Sequence, residues 1–277
     1  MSDAMGLDLR KPGPEKPSGL SAEEQSRETL ALVRRALDRR RVMLAYQPVV
    51  QARDPARIGF HEGLIRILDD DGRVLPAQAF IGAVEATETG RVIDCCALEL
   101  GLGALAREPA LRLAINMSAR SIGDPRWNRT LAEGLDRDAT IAERLILEIT
   151  EASAMLMPDA VSDFMDELKR CGITFALDDF GAGYTAFRYF KDFYFDILKI
   201  DGQFIRNIHA DPDNQVLTRA MIGIARHYDM FTVAEFVEDR RDADFLARNG
   251  IDGLQGYLFG MPATLPPWKA EERRRSA

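Results

Sequence analysis

The chain has 277 residues, 46% of them hydrophobic, with 44 acidic against 36 basic side chains and a net charge of −8. That length suits one large α/β unit, since a single α/β barrel takes ~250 residues. The acidic balance argues against a sequence-independent DNA binder, which needs a basic face. Three cysteines, Cys95, Cys96 and Cys171, have neither zinc-type spacing nor an even count, so reduced thiols and a cytoplasmic setting are expected. The sequence has no signal-peptide pattern and no apolar run of the ~18 residues a membrane span needs, so no membrane partner is expected.

Residues 1–20 are rich in Pro, Gly, Ser and charge and read as a disordered tail. Ser21 forms a capping-box pattern with Glu24 and opens a helix that runs to about residue 41, ending in Arg39-Arg40-Arg41. Segments 44–50 and 58–67 read as strands joined by a polar turn containing Pro55, and the short connection makes them an antiparallel hairpin. The acidic run Asp69-Asp70-Asp71-Gly72 reads as a solvated turn. A short helix starts at Pro76, and another spans 88–107. After a strand ending at Asn116 come a helix near 125–136, a strand ending at Glu148, and a helix over 158–170. The apolar stripe of that helix (Val161, Phe164, Met165, Leu168) is a core face. Strands then end at Asp178 and Lys199. Helices near 202–206 and 212–228, a strand over 231–235, a helix over 239–248 and a strand over 251–255 complete the pattern, and 266–277 form a tail. The alternation gives an α/β protein with about eight strands, mostly parallel.

The strand ends carry the chemistry. Six apolar runs finish in Asn116, Glu148, Asp178-Asp179, Lys199, Glu235 and Gln255. A buried parallel strand is apolar on both faces, so a polar residue at its end is costly unless it works or is paired. Repetition of that pattern describes a barrel with its chemistry at one rim. Asp178 and Asp179 can both face a site only where the backbone leaves its pleat, which Gly181 and Gly183 permit. Adjacent anions need a cation, and an oxygen-rich set favours Mg²⁺ or Mn²⁺ over zinc. Glu62 and Glu151 add carboxylates, Glu238 lies three residues beyond Glu235, and Lys199 and Asp201 are two apart, on one side of the strand. His61, His209 and His227 form no zinc pattern and read as structural or surface residues, with His61 facing away from its neighbour Glu62.

Eight segments occur in a specific order: Tyr46-Gln-Pro48, Glu62-Gly-Leu-Ile-Arg66, Asn116-Met-Ser118, Glu148-Ile-Thr-Glu151, Asp178-Asp-Phe-Gly-Ala-Gly-Tyr184, Leu198-Lys-Ile-Asp201, Ala234-Glu-Phe-Val-Glu238 and Gln255-Gly-Tyr257. This series resembles the EAL domain family, phosphodiesterases that open cyclic di-GMP. The resemblance spans about residues 42–262 and implies a modified TIM (β/α)8 barrel over 42–265 whose first strand runs antiparallel. It implies a cyclic-guanylate-specific phosphodiesterase of bacterial signalling that forms linear pGpG by two-metal activation of water. Glu62, Asn116, Glu148 and Asp178 would hold one Mg²⁺ or Mn²⁺ ion, and Asp178, Asp179 and Glu235 the second. Lys199 would position the water and Gln255 would contact it. Glu151 would brace the loop at 179–188. Gln47 would touch a guanine and Arg66 a phosphate, Leu64 would face the substrate with them, and Asp201 and Glu238 would support the site. A homodimer, and a regulatory protein acting in trans, are the implied partners besides cyclic di-GMP.

The sequence departs from the family pattern in three places: Glu62-Gly63-Leu64 stands for Glu-Ala-Leu, Tyr184-Thr-Ala-Phe187 for Tyr-Ser-Ser-Leu, and Phe236 for a frequent Gly, where it would narrow the cleft. None removes a metal ligand, which favours the enzyme over a silent cyclic di-GMP receptor. A Schiff-base aldolase on Lys199 is the third reading. It is disfavoured because surrounding anions raise an amine's pKa, whereas such a nucleophile needs it lowered.

Overall fold

The computed structural model describes residues 21–183, 191, 193–266 and 268. The expected tail at 1–20, most of the tail at 266–277, and Tyr184 to Phe187 lie outside the described residues. The elements in chain order are α1 (Ala22–Asp38), β1 (Val42–Gln51), β2 (Asp54–Leu68), β3 (Val74–Pro76), α2 (Ile81–Val84), α3 (Glu88–Arg107), β4 (Leu113–Asn116), α4 (Pro125–Arg137), β5 (Leu145–Thr150), α5 (Glu151–Leu156), α6 (Pro158–Lys169), β6 (Thr174–Phe180), β7 (Ile197–Ile200), α7 (Gly202–Ile205), α8 (Pro212–His227), β8 (Phe231–Ala234), α9 (Arg240–Arg248) and β9 (Gly253–Gln255).

Local chemistry sets several of these boundaries. The capping box at α1 is complete: Ser21 Oγ accepts from the Glu24 N–H, and the Ser21 N–H donates to the Glu24 carboxylate. α4 and α8 each start with an aspartate cap, Asp124 and Asp211, followed by a proline in the first turn, where its missing N–H costs nothing. The Asp69–Gly72 turn is held by Asp69, which accepts from the Asp71 and Arg73 N–H groups. Asp70 ties it to α1 through Arg35 and Arg39.

The strands lie in the order β1-β9-β8-β7-β6-β5-β4-β2, and β1 pairs with β2 to close the ring, while β3 extends the far end of β2. β1 is antiparallel to both neighbours, and the other ring pairings are parallel. This is the expected modified TIM barrel with an antiparallel first strand. Two local expectations need correction. Pro55 lies inside β2 rather than in the turn, which is Ala52-Arg53; the first five residues of β2 are exposed, where a proline is tolerated. The helix α5 was not anticipated, because six residues are too short to show a helical period; it is started by Thr150, whose hydroxyl accepts from the Ser153 N–H.

Strand periodicity explains how the barrel carries its site. Val49, Phe60, Ala114, Ile146, Ala176, Ile197 and Val233 fill the barrel interior as one cluster. A larger cluster, including Leu113, Leu145, Leu147, Phe175, Leu177 and Leu198, packs the strands' outer faces. Successive side chains on a strand alternate between faces. The inward position two residues beyond each interior plug is therefore Glu62, Asn116, Glu148, Asp178, Lys199 or Glu235. On the reversed β1, the equivalent step from Val49 runs backward to Gln47, which pairs with Glu62. Among the described residues, no helix is long and apolar enough to cross a membrane.

Candidate active site

Lys199 sits at the focus of the rim. Its side chain is fully buried, and its ammonium lies 3.3 Å from Glu62, 2.9 Å from Glu148, 2.8 Å from Asp178 and 2.9 Å from Glu235. Three strands and the residue just past β8 supply those carboxylates, so the cage exists only in the closed barrel. Burial opposes charge on Lys199, but the carboxylates outweigh it and hold its pKa well above the ordinary lysine value. That is the reverse of what a Schiff-base nucleophile needs, and it removes the aldolase reading.

The carboxylates are not equivalent. Burial would raise Glu62, but the Lys199 charge and hydrogen bonds from Gln255 (2.6 Å), Asn116 (2.8 Å) and Lys199 hold it below the usual range. Glu148 is pushed well up, first by burial and then by repulsion from Glu62, against the pull of Lys199. Burial likewise raises Glu235, again against Lys199, with Asp178 and Glu62 repelling it. Asp179 is pushed up to about 6 by burial and by its neighbour Asp178. Two buried carboxylate oxygens, Glu148 Oε1 and Asp178 Oδ1, accept no hydrogen bond; the Asp178 oxygen touches the ammonium in a direction that makes an ion pair only. Buried anions with unsatisfied oxygens are costly unless a further cation meets them.

Asp178 and Asp179 both enter the site, but the device is not the following glycines. Asp179 itself adopts φ +53°, and the β6–β7 register breaks between Leu177 and Phe180. The chain therefore gains a residue against β7, a bulge that turns a second carboxylate inward. Oxygens of Asp178, Asp179 and Glu235 lie within 4.8 Å of one another. Just beyond, the Gly181 N–H donates to Glu151 at 3.0 Å, which anchors the start of the loop.

The remaining expected residues divide between the cleft and its support. A cleft of about 250 Å³ beside the cage is lined by Gln47, Glu62, Leu64, Arg66, Glu235, Glu238 and Gln255. Gln255 donates to both Glu62 and Gln47, and Gln47 donates to the Gly260 carbonyl, so both amides are largely committed to the rim. Arg66 is half-buried, with one nitrogen on the Ile65 carbonyl. Asp201 does not line the cleft; it caps α7 by accepting from the Gln203 N–H. His61 faces outward against Trp268, and His209 is held by Asp242 at 2.6 Å, so neither enters the site. The position of Gly63 also turns outward: a methyl group there would lie 2.8 Å from Ile115 Cδ1, so Ile115 occupies the space an alanine would need, and Glu62 keeps its place.

Sequence reading did not list Pro76, Ala77 and Gln78, which form one lip of the cleft. No motif marks them. They arrive because β3 folds back antiparallel and sets Pro76 opposite Arg66. Tyr257 and Phe236 line the same cleft, and both lay within recognised segments.

The EAL domain family matches residues 31–262. The chain is 30% identical over 250 residues to the cyclic di-GMP phosphodiesterase PdeF of Escherichia coli (strain K12), covering 88% of this chain and 33% of that protein. It is 32% identical over 253 residues to the bifunctional diguanylate cyclase/cyclic di-GMP phosphodiesterase MucR of Pseudomonas aeruginosa, covering 90% of this chain and 37% of that protein. The solved structure of the PaMucR phosphodiesterase in its c-di-GMP complex matches with a TM-score of 0.74 at 30% identity, covering 86% of this chain and 98% of that one. The chain spans about a third of the length of the curated relatives it matches. Barrel topology, rim chemistry and these matches agree, and the chain belongs to the EAL domain family.

Proposed function

We propose that this chain hydrolyses cyclic di-GMP to linear pGpG, using divalent cations held at the barrel rim. The observation that carries the reading is the cage of Glu62, Glu148, Asp178 and Glu235 around Lys199, with Asp179 beside it. With all five carboxylates ionised, as cation binding would require, one ammonium leaves four negative charges, which two divalent cations would neutralise. The orphaned Oε1 of Glu148 fits such an ion, and an all-oxygen donor set suits Mg²⁺ or Mn²⁺. Glu62, Asn116, Glu148 and Asp178 would hold one, and Asp178, Asp179 and Glu235 the other. Bound there, the pair would neutralise the phosphodiester and acidify a water.

The protein's own groups supply the rest. The Lys199 ammonium stabilises negative charge developing on the reacting oxygens. Gln255 and Asn116 fix the orientation of Glu62 from both of its oxygens. Arg66 offers a guanidinium to phosphate, and the exposed ring of Phe236 with Leu64 and Tyr257 gives apolar wall to a planar base. Glu238, exposed on the same wall, can accept from a guanine edge. The matched relatives named as phosphodiesterases support the substrate class. The same reading includes a homodimer and regulation in trans. Leu156 and Met157, exposed at the end of the helix that Glu151 begins, are apolar surface available for a partner.

The test is incubation with cyclic di-GMP and Mg²⁺ or Mn²⁺, resolved by chromatography. Formation of pGpG by the parent and its loss in Glu62→Gln, by a factor of roughly 10² or more, is the expected result. Binding without cleavage by the parent identifies a silent receptor instead.

A further inference from the structure

Phe236 carries an unusual combination. It follows the cage residue Glu235, adopts φ +54°, a region that β-carbon-bearing residues avoid, and is 37% exposed as it lines the cleft. A strained, exposed aromatic next to a reactive centre persists only if its surroundings hold it there. Two features do so, and both come from α7 and its C-cap, just after the strand that carries Lys199. Gly202 supplies the clearance: a β-carbon at that position would lie 2.4 Å from Phe236 Cδ2. At the other end of the helix, the Arg206 guanidinium stacks over the ring, with its carbon 4.3 Å from the centroid. Arg206 closes α7 through its N–H to the Gly202 carbonyl at 3.0 Å and is not itself a cleft residue.

We infer that Arg206 is a positioning residue for nucleobase binding: it fixes the Phe236 ring by a cation–π contact, and so shapes the wall of the cleft without touching the substrate. Arg206 lies on the chain segment that also carries Lys199, so the base-binding wall and the charge focus share one support. The guanidinium is suited to this because it is planar, permanently charged and weakly hydrated, so it stacks on an exposed ring where an ammonium holds less well. The inference rests on the proposed substrate and adds a residue outside the cleft to its recognition.

The test compares the parent with Arg206→Met, which keeps an unbranched stem but removes the charged plane, and Arg206→Lys, which keeps only the charge. Steady-state constants are measured for cyclic di-GMP and for its abasic analogue, the same cyclic diribose phosphodiester with hydrogen in place of each guanine, alongside melting temperatures. A surface cation–π contact predicts that Arg206→Met raises KM for cyclic di-GMP about two- to five-fold. The kcat and the rate on the base-free ester should stay at parental values, the melting temperature should fall by no more than about 1–4 °C, and Arg206→Lys should be intermediate in KM. Adding Arg206→Met to Phe236→Gly should change KM no further, because the contact is already gone. A parental KM in Arg206→Met, or an equal loss on both esters, overturns the inference. A parent that neither binds nor cleaves cyclic di-GMP overturns the proposed function as well, so the two failures are told apart by the parent alone.

Discussion

Replacing Lys199 by methionine tests the cage directly. The side chain is fully buried, and its ammonium is the shared partner of Glu62, Glu148, Asp178 and Glu235, all within 3.3 Å. Removing one member of a buried ion pair costs about 3–5 kcal/mol, because the remaining charge is stranded. Here four carboxylates lose one counter-ion together. Protonation of Glu148 and Glu235, already displaced well upward, limits the damage and keeps the cost near that range. For a domain of this size each kcal/mol moves Tm by roughly 2–4 °C, so the metal-free variant should melt about 6–20 °C below the parent. Saturating Mn²⁺ should recover more of the loss in Lys199→Met than it adds to the parent, because a cation replaces the missing ammonium. Turnover should stay depressed by roughly 10²–10³ even when the fold is restored. Thermal melts in EDTA and in Mn²⁺, followed by turnover assays, read all of these. An unchanged melting temperature in EDTA would refute the reasoning, since it would mean that the ammonium does not neutralise the cage.

Asp94, on α3, is half-buried, and its desolvation pushes it up to about 6, although its Oδ2 accepts from the Ser118 N–H (2.9 Å) and the Ser121 hydroxyl (2.6 Å). The folded state therefore holds this proton over a range where the unfolded chain has lost it, from about pH 4 to 6. Stability linked to Asp94 is full below pH 4 and falls as pH rises through 6, a loss of about 3 kcal/mol from roughly two pKa units. Asp94→Asn keeps an oxygen for both donors and should melt above the parent at pH 8 but not at pH 4; equal melting temperatures at both values would show that Asp94 titrates normally. Gly256 follows Gln255, and a β-carbon there would lie 2.1 Å from the Val237 carbonyl oxygen and 2.3 Å from its nitrogen. Backbone cannot yield as a flexible side chain does, so Gly256→Ala should cost at least ~2 kcal/mol and displace Gln255 from Glu62, lowering both Tm and turnover. A fully active, stable Gly256→Ala would count against the position given to this rim.

The sequence by itself determined the order of elements and the identity of the rim residues. Val233 and Glu235, Ile146 and Glu148, and Ile197 and Lys199 each sit two apart, and a strand's period of two puts both members of a pair on one face wherever the strand lies. The capping box at Ser21 and the short link between β1 and β2 are equally local, so they were legible too. What the carboxylates do to one another was not legible. One ammonium among four anions needs β2, β5, β6, β7 and β8 brought into a closed ring at fixed register, and no stretch of sequence encodes a distance between strands. The inward turn of Asp179 comes from a bulge against β7, not from the glycines beside it. The lip at Pro76–Gln78 exists only because β3 finds β2, and the stacking of Arg206 on Phe236 joins residues from the ends of two different strands' loops. Local pattern fixes which face a side chain takes; only closure of the barrel fixes which partner it meets there, and the charge of each rim group follows from that partner.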